Sequence, residues 1–277
     1  MDSQSFIALV VLALLLVAVI FYVAFWPGIR YRRLIARPFP ESWLRILRGH
    51  LTLYDALPAD LQQRLRQLIQ VFIADKRFVG CAGLGIDDEV RVTIAAQACL
   101  LVLNQPEPHY PQLRSILVYP STFIAVRDVS DELGLVSTTR SHLLGESWDH
   151  GQVVLAWDNV IAGVRNLEDG RNVVLHEFAH QLDSESGSTN GAPVLLARGA
   201  YKSWAEVFHH EYQRLQEQSA LEHEGLLDNY GATDPAEFFA VATETFFERP
   251  LEMATHHQAL YRELVNFYRL DPANWRP

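Results

Sequence analysis

The pentapeptide HEFAH at residues 176–180 decides how this sequence is read. The apolar residues around it, between positions 172 and 183, recur at the spacing of a helix that packs one face against a core. Residues four apart lie on the same face of a helix, so His176 and His180 can bind one metal ion together. Glu177 then stands beside that ion, where its carboxylate can take a proton from a bound water molecule. This spacing is typical of zinc metallopeptidases and predicts a Zn2+ site with Glu177 as its general base.

A third protein ligand is expected, because catalytic zinc sites use three protein ligands and one water molecule. The metzincin pattern would place Gly at 183 and His at 186, and the chain has Asp183 and Ser186 there, which excludes that class. The remaining common solution is a glutamate from a later helix. The candidates in this sequence are Glu206, Glu237 and Glu244.

Glu237 is favoured because it lies in the first turn of a predicted helix, from which its side chain can reach a neighbouring element. Asp234 as N-cap, with a glutamate three residues later, is also the outline of a capping box, which explains both residues without a metal. Glu206 is expected mid-helix on a solvated face. Glu244 lies two turns after Glu237 and would either accept a hydrogen bond from a ligand histidine or form an ordinary salt bridge. The residues alone therefore do not decide which glutamate is the third ligand.

Composition limits the kinds of partner. The 277 residues are 49% hydrophobic, enough for a sizeable core, and their formal net charge of −10 argues against nucleic acid as a partner. The cysteines, Cys81 and Cys99, are interpreted as small buried hydrophobic residues, reduced in a cytoplasmic domain.

Residues 6–26 form an apolar segment without a charge, Gly or Pro, and as a helix they would span about 31 Å, the thickness of a bilayer core. A cleaved signal peptide is disfavoured, because the segment lacks a basic start and a small-residue cleavage site. Pro27-Gly28 is expected to end the helix, and residues 27–40 to form a basic juxtamembrane linker. Its arginines predict a single-pass anchor in the inner (cytoplasmic) membrane, with the catalytic domain facing the cytoplasm. They are Arg30, Arg32, Arg33 and Arg37.

Residues 41–277 are predicted to form one zinc peptidase domain. Helical spacing recurs along most of it, and β-branched and aromatic residues predict strands at 115–119, 122–126 and 152–157. The expected fold is α+β, a helix-rich zincin-like domain with a small sheet just ahead of the metal helix.

The sequence resembles the Mlc titration factor A family of gluzincin-type zinc peptidases. The likeness covers roughly residues 50–270 and is carried by HEFAHQLD at 176–183 and by the segment from Tyr230 through TDPAE at 233–237. The resemblance implies that the zinc ligands are His176, His180 and Glu237, that Glu177 is the general base, and that Tyr230 stabilises the oxyanion of the tetrahedral intermediate. It also implies a protein regulator as a possible partner, because the family's namesake binds a transcriptional repressor.

Two functions follow as hypotheses. The first is a membrane-anchored zinc peptidase acting on a peptide or protein substrate, with residues 152–157 presenting a strand edge to an extended peptide. The second is a membrane-tethered zinc-binding interaction protein that sequesters a regulator with little or no turnover. Glu177 favours the first hypothesis, because a purely structural zinc site has no use for a general base.

Overall fold

A computed structural model describes residues 3–105, 110–121, 123–130, 136–143, 145–148, 151–166 and 168–275. The helices are α1 (Ser3–Ile35), α2 (Glu41–His50), α3 (Ala59–Asp75), α4 (Asp88–Leu101), α5 (Trp157–Arg165), α6 (Val173–Ser184), α7 (Ala200–Ala220), α8 (Pro235–Glu248), α9 (Pro250–His256) and α10 (Gln258–Tyr268). The strands are β1 (Arg77–Gly80), β2 (Ser115–Tyr119), β3 (Phe123–Ser130), β4 (Val136–Leu143), β5 (Gly145–Trp148) and β6 (Gln152–Ala156). This arrangement confirms the helix-rich α+β class.

The main sheet has the order β1-β2-β6-β5, with β1, β2 and β6 parallel and β5 antiparallel to β6. β3 and β4 form a separate two-stranded antiparallel sheet. The three predicted strands are present, although residue 122 lies outside the described residues. The hypothesis that residues 152–157 present a free edge is wrong. β6 is paired on both sides, because the short strand β5 folds back onto it, and β5 is the edge strand on that side of the sheet.

The core is built around α4, α6 and α8, whose side chains are largely buried. Phe178 on α6 is fully buried, and its ring lies 5.7 Å from that of Phe72 and 5.0 Å from that of Tyr110, measured between centroids. Asn172 caps α6 by accepting hydrogen bonds from the backbone N–H groups of Val174 and Leu175. The helix that carries HEFAH is therefore fixed by packing at its centre and by a cap at its start.

Replacing Phe178 by Ala is expected to lower the free energy of unfolding by about 3–5 kcal/mol, because it removes a buried aromatic ring and leaves a cavity. Chemical denaturation of the purified protein measures the loss. Leu196→Ala is the control, since Leu196 is 67% exposed and its truncation should change stability by less than about 0.5 kcal/mol. Equal losses in the two variants would contradict this account of the core.

α1 is one continuous helix, so the expectation that Pro27-Gly28 ends it is wrong. Proline removes one hydrogen-bond donor but has a φ value compatible with the helix, and contacts beyond it hold the next turns in place. Arg30 donates to the carbonyl of Ala74 at 2.8 Å and pairs with Asp75 at 2.6 Å, which packs this end of α1 against α3. Within the described residues, α1 is the helix that is long and apolar enough to cross a membrane.

Candidate metal centre

α6 and α8 pack against each other and bring together residues that lie far apart in the chain. The start of α6 is tied to α8 by Asn172, whose backbone N–H donates to Glu244 and whose side chain donates to Glu248 at 3.0 Å. This contact sets the register between the two helices. As a result, the histidine face of α6 lies opposite the face of α8 that carries Glu237 and Glu244.

Three ligand atoms meet at the centre of this interface. Nε2 of His176 lies 3.2 Å from Nε2 of His180 and 2.9 Å from Oε2 of Glu237. Nε2 of His180 lies 3.5 Å from the same Glu237 oxygen, so the three atoms form a triangle. Two ligand atoms of a tetrahedral zinc ion, each about 2.0–2.1 Å from the metal, lie about 3.3 Å apart. The triangle therefore has the size of one face of such a tetrahedron. Among the described residues, this is the cluster of histidine and carboxylate side chains that could hold a metal ion.

The other candidates for third ligand lie elsewhere. Glu206 is on the exposed side of α7, with a side chain 68% accessible and 3.9 Å from Lys202. Glu244 is buried and stands behind His176, where its Oε1 lies 2.8 Å from Nδ1 of that ring. That contact leaves Nε2 of His176 directed at His180 and Glu237.

Glu177 has the environment of a reactive carboxylate. It is 3% exposed, and its Oε2 has no hydrogen-bond partner in the part of the chain that the structure describes. Burial raises the pKa of Glu177 to about 7, with the neighbouring histidines acting in the opposite direction. A buried carboxylate with a pKa near neutrality is suited to accept and return a proton at physiological pH.

Opposite charges hold the ligand cluster together. Burial lowers the pKa of His176, but hydrogen bonds to Glu237 and Glu244 outweigh it, and this pKa lies well above its ordinary value. Burial raises the pKa of Glu237, but hydrogen bonds to the two histidines outweigh it, and this pKa lies well below its ordinary value. The lowered pKa of Glu237 and the raised pKa of His176 show that negative charge on the carboxylate favours positive charge beside it. A bound cation can supply that positive charge in place of a proton.

Tyr230 borders the cluster from the short turn Asn229–Ala232, just before α8. Its ring centroid lies 6.0 Å from that of His176, and the Glu237 carboxylate is close enough to influence the pKa of its hydroxyl. Burial and the Glu237 carboxylate raise the pKa of Tyr230 to about 12. The residue is 54% exposed, so it is a phenol at the open side of the site and not a packing residue of the core.

Comparison with known proteins identifies the family. Residues 26–269 match the glucose-regulated metallo-peptidase M90 family. The chain belongs to this family. The Synechocystis protein slr2042 is 43% identical over 270 residues, which cover 95% of this chain and 97% of that protein. Mlc titration factor A of an Enterobacter species is 34% identical over 220 residues, 78% of this chain and 82% of its own length. Mlc titration factor A of Yersinia pestis is 34% identical over 214 residues, 76% of this chain and 78% of its own.

These relationships confirm the resemblance found in the sequence. The family is of metallopeptidase type, and the cluster of His176, His180 and Glu237 has the chemistry and geometry to hold a metal ion. The name of the Enterobacter and Yersinia relatives describes proteins that titrate Mlc. The family match begins at residue 26, at the end of the apolar segment, whereas the match to the Synechocystis protein extends over nearly the whole chain.

Proposed function

We propose that the protein is a zinc-dependent peptidase that hydrolyses peptide bonds in a peptide or protein substrate. The observation that carries this proposal is the buried carboxylate of Glu177, whose Oε2 has no hydrogen-bond partner among the described residues, beside a triangle of ligand atoms. A site that only stabilised the fold would gain nothing from such a group, because an unpaired buried carboxylate costs free energy. A mixed set of imidazole nitrogens and a carboxylate oxygen suits zinc.

In the proposed mechanism, His176, His180 and Glu237 hold the ion, which when bound polarises the attacking water and the substrate carbonyl. Glu177 takes a proton from the water as its oxygen attacks the carbonyl carbon. The hydroxyl of Tyr230 donates a hydrogen bond to the oxyanion that develops. Glu177 then returns the proton to the leaving nitrogen, the C–N bond breaks, and the second water proton passes from the new carboxyl group to the amine, so that a carboxylate and an ammonium group are released.

The edge strand β5 supports an extended peptide as the substrate. β5 contacts α6, and among the described residues its backbone is paired on one side only, with β6. A peptide added along the other side would form main-chain hydrogen bonds with β5 beside the metal helix. We therefore propose β5, in place of residues 152–157, as the strand that binds the substrate.

The direct test uses the full-length chain purified in detergent. Zinc content is measured by atomic absorption, and cleavage of a mixed peptide library by mass spectrometry, before and after treatment with a chelator. We expect about one zinc ion per chain and hydrolysis that is lost with the metal and restored by adding zinc. Cleavage that survives complete removal of the metal would refute the proposal.

A second candidate function is sequestration of a regulator protein at the membrane, with little or no turnover. The name of the Mlc titration factor relatives favours it. Zinc bound at one ion per chain, with no hydrolysis of any library peptide, would support this function over catalysis.

We also propose that α1 anchors the protein in the inner membrane as a single span, with the domain in the cytoplasm. The large apolar side chains that the structure describes between residues 11 and 22, together with Phe25 and Trp26, are exposed to the surroundings, as in a helix surrounded by lipid. Protease added to the outside of spheroplasts should leave the domain intact, whereas protease added to inverted membrane vesicles should digest it.

Glu244→Gln is expected to weaken zinc binding about 10–100-fold, because the carboxylate that orients His176 becomes a neutral amide. Competition with a fluorescent chelator measures the change. Glu248→Gln is the matched control, since Glu248 is also buried on α8 and bonds to Asn172, whereas the carboxylates paired with His176 are those of Glu244 and Glu237. Equal weakening in the two variants would mean that the effect arises from the helix interface and not from the histidine.

A further inference from the structure

The turn that carries Tyr230 is fixed on one side by close packing. Gly231 lies between α7 and α8, where an added Cβ would be 3.1 Å from Leu215 and 3.2 Å from Val241. The carbonyl of Tyr230 accepts a hydrogen bond from the hydroxyl of Thr233 at 2.7 Å. These contacts hold the backbone of the turn against α7 and α8. They do not fix its position relative to α6, which carries two of the three ligand atoms.

Asp228 supplies that connection. Its Oδ1 accepts the backbone N–H of Tyr230 at 2.8 Å, and its Oδ2 accepts Nε–H of Arg171 at 2.6 Å. Arg171 comes directly before Asn172, the cap of α6, whose own N–H is bonded to the Glu244 that holds His176. One carboxylate thus links the backbone of Tyr230 to the start of the metal helix.

We propose that Asp228 is a positioning residue that holds Tyr230 over the ligand cluster by joining the Asn229–Ala232 turn to Arg171. This role rests on the proposed peptidase function. It involves Asp228 and Arg171, which both lie outside the ligand cluster. Asp228 does not touch substrate or metal. It acts by setting the distance between the phenol and the histidines on α6.

The energetics of this contact make it testable. Arg171 is 72% exposed and Asp228 24% exposed, so their ion pair contributes at most about 1 kcal/mol to global stability. The variants should therefore fold. A displacement of about 1 Å in a catalytic group, by contrast, can cost about 100-fold in rate. The pair is expected to matter much more for kcat than for the melting temperature.

The first experiment reports position without using activity. The chain is labelled with 3-fluorotyrosine, and Tyr230→Phe identifies the signal of Tyr230 among those of the ten tyrosines by 19F NMR. Asp228→Ala and Arg171→Gln are expected to shift or broaden that signal. Arg48→Gln is the matched control, because it removes another exposed Arg–Asp pair of 3.0 Å, at α2, and should leave the signal unchanged.

The second experiment is a double-mutant cycle on the zinc-loaded enzyme. Asp228→Ala is expected to lower kcat by about 10-fold or more, with KM and zinc affinity unchanged, and Asp228→Asn, which keeps an oxygen acceptor for the Tyr230 N–H, should retain part of the rate. In the Tyr230→Phe background, Asp228→Ala should cost nothing further, because the residue acts through the phenol.

The outcomes separate this inference from the proposed function. A Tyr230 signal that is unchanged in Asp228→Ala, or an equal loss of kcat with and without the Tyr230 hydroxyl, would overturn the positioning role. A wild-type chain that binds zinc and cleaves nothing would refute the peptidase function. The fluorine experiment would then still decide whether Asp228 positions Tyr230.

Discussion

Glu177→Gln is expected to reduce peptide hydrolysis by about 100- to 10,000-fold, the usual contribution of a general base, and to leave one zinc ion per chain in place. Glutamine has nearly the same shape as glutamate but cannot accept the proton of the attacking water. The side chain is not part of the ligand triangle, so the metal should remain. The kcat/KM for a peptide identified from the library, together with zinc content, measures both effects.

Glu206→Gln is the matched control for this variant, because it makes the same chemical change on the exposed face of α7 and should leave hydrolysis unchanged. Glu177→Gln protein that cleaves peptides as fast as the wild type would rule out the mechanism. Loss of zinc together with activity would also contradict it, since Glu177 would then support metal binding and not proton transfer.

The pH profile provides a second measure of the same residue. Burial raises the pKa of Glu177 to about 7 in the absence of a metal, and a cation held by the nearby imidazoles would lower it, because opposite charge favours the carboxylate. The acidic limb of the wild-type kcat/KM profile is therefore expected below pH 7. Residual hydrolysis by Glu177→Gln should lack that limb, since the variant has no carboxyl group at this position to titrate.

The elements that could be predicted from the sequence are those with strong local signals. The helix around HEFAH follows from apolar spacing and from an asparagine cap, both encoded within about a dozen residues. The strands β2, β3 and β6 can be predicted for the same reason, because their β-branched and aromatic residues are a local signal. The strand β5, by contrast, has the sequence GESW, which is short and polar, and it forms because β6 offers an unpaired edge three residues later. Such a strand forms by pairing with its neighbour, and its own sequence contains no pattern that predicts a strand.

The supporting contacts of the site were the hardest to predict, because they join distant residues. Glu244 lies 68 residues after His176, and the sequence allowed either a bond to a ligand histidine or an ordinary salt bridge there. Asp228 and Arg171 are 57 residues apart, and neither carries a motif. The continuation of α1 past Pro27 likewise depends on the contact of Arg30 with α3. Local patterns identify the groups that do the chemistry, whereas tertiary packing determines which residues hold them in position.

Glu237→Gln is expected to weaken zinc binding by more than about 100-fold, beyond the effect of changing a residue that only orients a ligand. The carboxylate oxygen is one corner of the triangle and carries the negative charge that balances the ion. Chelator competition measures the affinity. A second measure is the rise in melting temperature on adding zinc, which should be present in the wild type and absent in the variant. Glu206→Gln, at the rejected candidate position, should bind zinc as the wild type does.

The capping-box explanation of Glu237 makes the opposite prediction. If the side chain served mainly to cap α8, Glu237→Gln would destabilise the metal-free protein and leave zinc affinity nearly intact. In the structure, Asp234 alone caps the helix, accepting the N–H groups of Ala236 and Glu237 at 2.9 and 3.0 Å. The Glu237 carboxylate is directed to the histidines. Zinc affinity therefore decides between the two explanations, because the metal-free variant also loses the contacts of this carboxylate with the histidines. A marked loss of affinity would support coordination, whereas a less stable metal-free protein with zinc affinity preserved would favour capping.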